Sequence, residues 1–341
     1  MIDIEPFQVR LSQPLQTAGG SISAREGFLI RVEHGGQSGI GEATPLLGWT
    51  ESYDECQEAL AGAARIAEEL DWGVALAKLD APAARHGVSL AFADALASAN
   101  EQPLYQSLGS EVAIETVPVN ATLGADGSPE AVAERATEAV ASGFRTLKLK
   151  VGTNGIEEDI ERVRAIRDAV GDEVAIRVDA NGAWTLEQAR GALEALDALD
   201  VEYVEQPLPT AALSAHSSLR GSVDIALDES LAAHDIDTIL EADAADVLIL
   251  KPMVVGGPDR ALEIAMEAHR HGVDIVISNT IDAVVARTGA VHVAASIPNV
   301  RTCGLATASM LETDLGPDPA VVRDGDISVP QGNGLGLPVP P

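Results

Sequence analysis

Six charged residues recur at regular intervals through the second half of this chain, and their types suit one kind of chemistry. Lys148 and Lys150 lie in the apolar run Thr146-Leu-Lys-Leu-Lys-Val-Gly152. Asp179 closes Ile176-Arg-Val-Asp179 and is followed by Ala-Asn181-Gly. Glu205 closes Tyr203-Val-Glu205, just before Gln206-Pro207. Asp228 closes Ile225-Ala-Leu-Asp228, just before Glu229, and Lys251 closes Asp246-Val-Leu-Ile-Leu-Lys251. From Lys150 to Lys251 the steps are 29, 26, 23 and 23 residues, each the length of one strand, loop and helix. The chain has only four lysines against 18 arginines, and all but Lys78 sit in these runs. A buried ammonium is costly unless its charge or its proton is used. Lysine, unlike arginine, lowers its pKa readily on burial and so can serve as a base.

The elements that must position these residues follow from periodicity. Strands are expected at 117–121, 146–151, 174–179, 201–205, 224–228, 246–251, 273–278 and 300–304. Helical patterns fall between most of them, at 129–142, 155–170, 185–199, 235–242, 258–271 and 282–295. Eight strands alternating with helices fit a closed parallel barrel, with an open doubly wound sheet as the alternative. Each charged residue then falls at the C-terminal mouth of its strand, where barrel active sites are built. The first ~110 residues read differently, as α+β. Phe28–Glu33 and Gly39–Thr44 form a hairpin around 34–38, and helices follow at 52–70 and 86–99.

Three carboxylates at one mouth repel unless a cation lies among them. Oxygen-only ligands suit a hard ion with open positions, so Mg²⁺ is favoured and Mn²⁺ is accommodated. The cation would hold a substrate carboxylate, and a flanking lysine would remove the proton α to it. Taken singly, each residue has a plainer explanation. A strand-terminal Asp is often a helix N-cap, and a strand lysine often snorkels. Five in consecutive register outweigh those separate explanations.

The order Lys-x-Lys, Asp-x-Asn, Glu-Gln-Pro, Asp-Glu, Lys resembles the enolase superfamily, specifically its muconate-lactonizing-enzyme subgroup with a lysine on each face. That superfamily pairs a Lys or His base with Mg²⁺. The resemblance spans nearly the whole chain and implies an α/β fold, a TIM-like (β/α)7β barrel over 113–315. It also implies an α+β capping domain over 1–112, completed by the Pro- and Gly-rich 316–341. By the same resemblance Asp179, Glu205 and Asp228 are metal ligands. Lys150 is the general base and Lys251 its counterpart on the opposite face. Lys148 lies against the substrate carboxylate or behind the ligands, and Asn181 and Glu229 support the ligands from behind.

The subgroup holds o-succinylbenzoate synthases, dipeptide epimerases, N-acylamino-acid racemases and muconate cycloisomerases. Dipeptide epimerases carry an Asp-x-Asp after the eighth strand for the substrate ammonium. Here that place reads Cys303-Gly-Leu-Ala-Thr-Ala308, without an acid. Gly304-Leu305 and Ser278-Asn279-Thr280 are similar to o-succinylbenzoate synthases, where this region binds a succinyl tail. Ser278-Asn279 stands where many of those have Ser-Ser, and the run also suits a helix entry before Asp282. The implied activity is a metal-dependent syn dehydration in menaquinone synthesis, a carbon–oxygen lyase reaction; N-acylamino-acid racemisation is the rival. A non-catalytic metal-binding protein is a remoter alternative, opposed by the two intact lysines. Loops 13–25 and 45–52 would close over the mouth, with Trp49 as an aromatic wall or a plug between domains.

Composition narrows the partners. The net charge of −31, from 22 basic and 53 acidic residues, argues against nucleic acid and anionic membranes; the partner expected from the site residues is a small-molecule carboxylate. Few lysines, many acids and 3% aromatics resemble proteins of extreme halophiles. Cys56 and Cys303 are expected to be reduced structural thiols of a cytoplasmic protein. No basic-then-apolar leader opens the sequence, and no apolar run reaches spanning length. Subgroup members often assemble as dimers or octamers, so a homo-oligomer remains open.

Overall fold

Alternation along the first strands sets one face inward. In the computed structural model, which describes residues 2–17 and 20–337, β1 (Ile2–Thr17), β2 (Gly20–His34) and β3 (Gln37–Ala43) form an antiparallel sheet in that order. Phe28, Ile30 and Val32 of β2 point into a core shared with the helices Tyr53–Glu69 and Pro82–Ala99. Pro82–Ala99 lies flat on β3 because the contact is made of glycine. A Cβ on Gly41 would stand 1.9 Å from the Gly87 carbonyl oxygen, and one on Gly39 2.1 Å from that of Ala91. The expected hairpin is present.

The stretch 13–25, expected as a loop, is mostly the outer end of the β1–β2 ladder; residues 18 and 19 lie outside the described residues. Leu15 pairs with Ile22 beyond a register shift, and both pack beside Val9, Leu11 and Ile281. Two apolar side chains among Ser, Gly and Gln were too weak a signal for a strand.

The barrel wall follows the expected rhythm. β4 (Thr116–Pro118) precedes it. The wall itself is β5 (Ala121–Leu123), β6 (Thr146–Lys150), β7 (Ala175–Asp179), β8 (Val201–Glu205), β9 (Asp224–Leu227), β10 (Val247–Leu250) and β11 (Asp274–Ile277). These seven are parallel and hydrogen-bonded in chain order. The expected eighth strand at 300–304 is reduced to bridges that close the ring, Val119 with Cys303 and Ser278 with Gly304. Cys303 N–H donates to the Pro118 carbonyl (2.8 Å) and Gly304 N–H to that of Ile277 (2.8 Å). Gly304 is needed there, since a Cβ would come within 2.8 Å of Ser278 Oγ.

The expected strand at 117–121 divides. β4 pairs with β13 (Asp326–Ser328), itself paired with β12 (Val322–Arg323), and only the part from Val119 onward joins the barrel. Pro118 has no N–H to give a continuous ladder. Helices cover the outside at Pro129–Ala141, Ile156–Val170, Leu186–Asp197, Ile236–Glu241, Pro258–Arg270 and Val284–Ser296. After β8 only the short turns Thr210–Ala212 and Leu213–Ser217 occur.

Inside the ring, Tyr203, Ala226, Val247, Ile249 and Val276 form a small apolar plug. Arg177 completes its floor. Its guanidinium lies 4.7 Å over the Tyr203 ring, donates to the Thr302 carbonyl (2.6 Å) and pairs with Glu202 (2.7 Å). Arg177 therefore faces the interior, one layer below the mouth.

The N-terminal layer is seated on the barrel by a carboxylate. Glu42 of β3 accepts from the N–H groups of Ala283 and Ala286 (both 2.8 Å), capping the helix Val284–Ser296, whose own N-cap, Ala283, cannot. Such capping contributes about 1 kcal/mol. Burial, then the charge of Asp282, pushes Glu42 up to about 7. The C-terminal segment returns to the same layer, where Leu335 N–H donates to Asp94 Oδ1 (2.7 Å). No helix among the described residues is long and apolar enough to cross a membrane.

The acidic excess carries a salt prediction. At molar salt the Debye length falls to about 3 Å, which screens repulsion among surface carboxylates. The melting temperature should rise between about 0.1 M and 3 M KCl; a flat profile in a thermal scan would contradict a halophilic surface.

Candidate active site

The register of three adjacent strands builds the mouth. Lys150 pairs with Asp179 and Asp179 with Glu205, so one layer carries an amine and two acids side by side. Alternate residues of a strand share a face, which puts Lys148 one layer lower on the same side. Its long stem reaches up between the two acids. Nζ stands 2.8 Å and 3.0 Å from the Glu205 carboxylate oxygens and 3.0 Å from Asp179 Oδ2. Lys150 Nζ contacts the same Asp179 oxygen at 3.2 Å and donates to Asn181 Oδ1 at 2.9 Å. On the other flank Lys251 Nζ lies 2.6 Å from Asp228 Oδ2. The two flanking lysines differ in access: the Lys150 side chain is 38% exposed, that of Lys251 10%.

Behind these groups runs a chain of polar contacts. Asn181, at φ 44°, donates from Nδ2 to Glu229 Oε1 (2.9 Å) while its backbone N–H reaches Asp179 Oδ1 (3.1 Å). Gln206, also left-handed at φ 41°, is fully buried and works as a clamp. Its Oε1 accepts from the N–H groups of Asp228 (3.1 Å) and Ser230 (3.2 Å), and its Nε2 donates to the Leu208 carbonyl (2.9 Å). Sequence reasoning assigned Gln206 no role. Its signal was present, since a polar amide between Glu205 and Pro207 must find partners when buried. Gln206→Leu should leave those N–H groups unpaired and lower metal affinity and kcat by about 10- to 100-fold. Calorimetric titration with Mn²⁺ and initial rates would measure both.

Charge sets the proton affinities. Burial alone would raise Asp179, but the ammonium groups of Lys148 and Lys150 outweigh it and hold that carboxyl well below the usual range. Burial, then the charge on Asp179, pushes Glu205 up to about 7 despite Lys148, whose ammonium is shared between the two acids. Burial would lower Lys148, but Asp179 and Glu205 more than reverse it. Asp228 and Glu229 are both raised, first by burial.

Among the described residues no three His, Cys, Asp or Glu side chains stand close enough to grip an ion as they are placed. Lysine ammonium groups stand beside Asp179, Glu205 and Asp228. The donor set still fits a hard cation. All its atoms are oxygen, and one of them, Asp228 Oδ1, is buried without a hydrogen-bond partner, as is Oε2 of the adjoining Glu229.

The rest of the expected site lies along the closing seam. Ser278 Oγ donates to the Gly304 carbonyl (3.2 Å), and Asn279 Nδ2 to Thr307 Oγ1 (2.9 Å), with Asn279 Oδ1 accepting from Ile281 N–H (3.0 Å). Thr280 Oγ1 donates to Asp282 Oδ1 (2.5 Å). These side chains are knit into the wall, and that of Leu305 is fully buried in the outer core. Trp49, in the loop between β3 and the helix Tyr53–Glu69, places its ring centroid 3.5 Å from Lys251 Nζ. It thus lies where the N-terminal layer meets the barrel, beside Lys251.

Residues 131–340 match the family model described as "Enolase C-terminal domain-like". This chain belongs to the enolase superfamily. Residues 5–95 match a second model, "MenC, N-terminal domain". An o-succinylbenzoate synthase of Thermobifida fusca is 40% identical over 219 residues, 63% of this chain and 67% of the relative. A hydrophobic dipeptide epimerase of Enterococcus faecalis is 33% identical over 330 residues, 92% and 91% of the two chains. The solved substrate complex of the L-Ala-D/L-Glu epimerase of Bacillus subtilis superposes with a TM-score of 0.89 at 29% identity, covering 99% of this chain and 98% of that one. The superfamily architecture, a TIM-like barrel under an antiparallel N-terminal sheet, is the one described above.

Proposed function

We propose that this superfamily enzyme is an o-succinylbenzoate synthase. It would dehydrate 2-succinyl-6-hydroxy-2,4-cyclohexadiene-1-carboxylate to o-succinylbenzoate. The observation that carries this choice is the unequal setting of the two flanking lysines. Lys150 is open to the mouth, held by neutral Asn181 at 2.9 Å and more loosely by Asp179 at 3.2 Å. Lys251 is closed in between the Asp228 carboxylate and the Trp49 ring. A syn dehydration needs one proton carrier and one fixed cation, whereas racemisation needs a proton carrier on each face. The missing acid in 303–308 also speaks against a dipeptide substrate.

In this reading residues 1–112, completed by 316–341, cap a catalytic barrel of 113–315. Asp179, Glu205 and Asp228 would hold Mg²⁺ (or Mn²⁺), with Asn181 and Glu229 supporting them. That cation supplies positive charge against the ring carboxylate of the substrate, easing loss of the α-proton. Lys150, in its neutral form, takes the α-proton at Nζ. The C–O bond to the ring hydroxyl breaks, and the Lys150 ammonium returns its proton to the departing hydroxide, so water leaves. Lys251 opposes the negative charge that builds up on the substrate, and Lys148 binds its carboxylate or holds the acids apart. Ser278, Asn279 and Thr280, with the backbone of Gly304 and Leu305, would form the wall facing the succinyl tail.

The epimerase likeness over nearly the full chain makes racemisation of N-acylamino acids the second reading. The test gives Mg²⁺-loaded protein the cyclohexadiene substrate and, separately, N-succinyl-phenylglycine in deuterated water. Rapid aromatisation that chelator abolishes is the expected result. Fast exchange and inversion of the amino acid without dehydration would overturn the assignment.

A further inference from the structure

The backbone of the turn that carries Trp49 is held by the fold from several directions. Upstream, Arg25 donates to the carbonyls of Thr44 (2.8 Å) and Pro45 (3.1 Å). At the turn itself, Trp49 and Thr50 N–H both reach the Leu46 carbonyl at 2.9 Å, and Leu46 N–H reaches Thr50 Oγ1 at 2.8 Å. Downstream, Glu51 accepts from Ala83 (3.0 Å) and Ala84 (2.8 Å), the first turn of the helix Pro82–Ala99. These bonds fix the backbone from which the indole projects. Its ring centroid lies 3.5 Å from Lys251 Nζ, whose other side meets Asp228 at 2.6 Å.

We propose that Trp49 is a positioning residue, holding the Lys251 ammonium in place against Asp228. This inference rests on the function proposed above. An ammonium has three N–H donors. Asp228 takes one and the ring face is aligned with the ammonium by cation–π attraction, so a donor remains for the substrate in a fixed direction. Rigid placement of a charged group ahead of the reaction is what gives it leverage on kcat.

The test uses Trp49→Leu, which keeps bulk without a ring face, and Trp49→Phe, which keeps a face. Trp49→Leu should lower kcat for dehydration about tenfold, the loss of one cation–π contact, with KM nearly unchanged. Trp49→Phe should restore most of it. A second readout needs no turnover: Lys251→Met should shift tryptophan emission in the wild type and not in the Trp49→Phe background. Equal losses in both Trp49 variants, an unchanged kcat in Trp49→Leu, or an emission shift that persists without Trp49 would each overturn the proposal. If the wild type turns over neither substrate, the proposed function fails, and the emission comparison alone decides the Trp49–Lys251 contact.

Discussion

Lys150→Ala is expected to lower the rate of α-proton loss by about 10²- to 10⁴-fold, the range for removal of a positioned general base. The argument rests on geometry. Of the three amines at the mouth, Lys148 is shared by two acids and Lys251 is shut between an acid and an indole. Lys150 alone combines access with an orienting neutral partner, the Asn181 carbonyl, beside its longer contact with Asp179. The same variant should bind metal as well as the wild type does, because Asp179 keeps Lys148 as a counter-ion. Deuterium wash-in measured by mass spectrometry, alongside Mn²⁺ titration, separates the two effects. An unchanged wash-in rate would move the base to another residue.

Glu205→Gln should be the most damaging change to metal binding, by more than about 100-fold, above the range for residues that merely support a ligand. Glu205 sits between Asp179 and the β9 strand and is fully buried, so water cannot substitute for its oxygens. A pH dependence follows from the same burial. With its carboxyl pushed up to about 7, Glu205 carries a proton at lower pH, and a cation must displace that proton to bind. Metal affinity should therefore fall as pH drops through about 7 and level off above it. Calorimetry in buffers of different ionisation enthalpy should show proton release near neutrality. Binding in Glu205→Gln should lose this pH step, and a step that survives would assign it to a different group.

Much of this protein was legible in one dimension. The barrel, its strand order and its mouth followed from apolar runs ending in Lys150, Asp179, Glu205, Asp228 and Lys251 at one-unit intervals, because a parallel strand must be buried on both faces and its polar end must lie at the rim. The Glu-Gln-Pro and Lys-x-Lys runs were specific enough to carry the family. Sequence could not show which oxygen meets which ammonium. That depends on how far a lysine stem reaches across the ring, and Lys148 reaches from a lower layer to Glu205. Nor could it show that Gln206 clamps the Asp228 backbone, that Arg177 fills the floor, or that Glu42 caps a helix 241 residues away. Each is a contact between segments distant in the chain, with no periodicity to betray it. The placement of Trp49 on Lys251 is of the same kind. A loop residue has no pattern of its own, and only the docking of the N-terminal layer on the barrel decided what it touches.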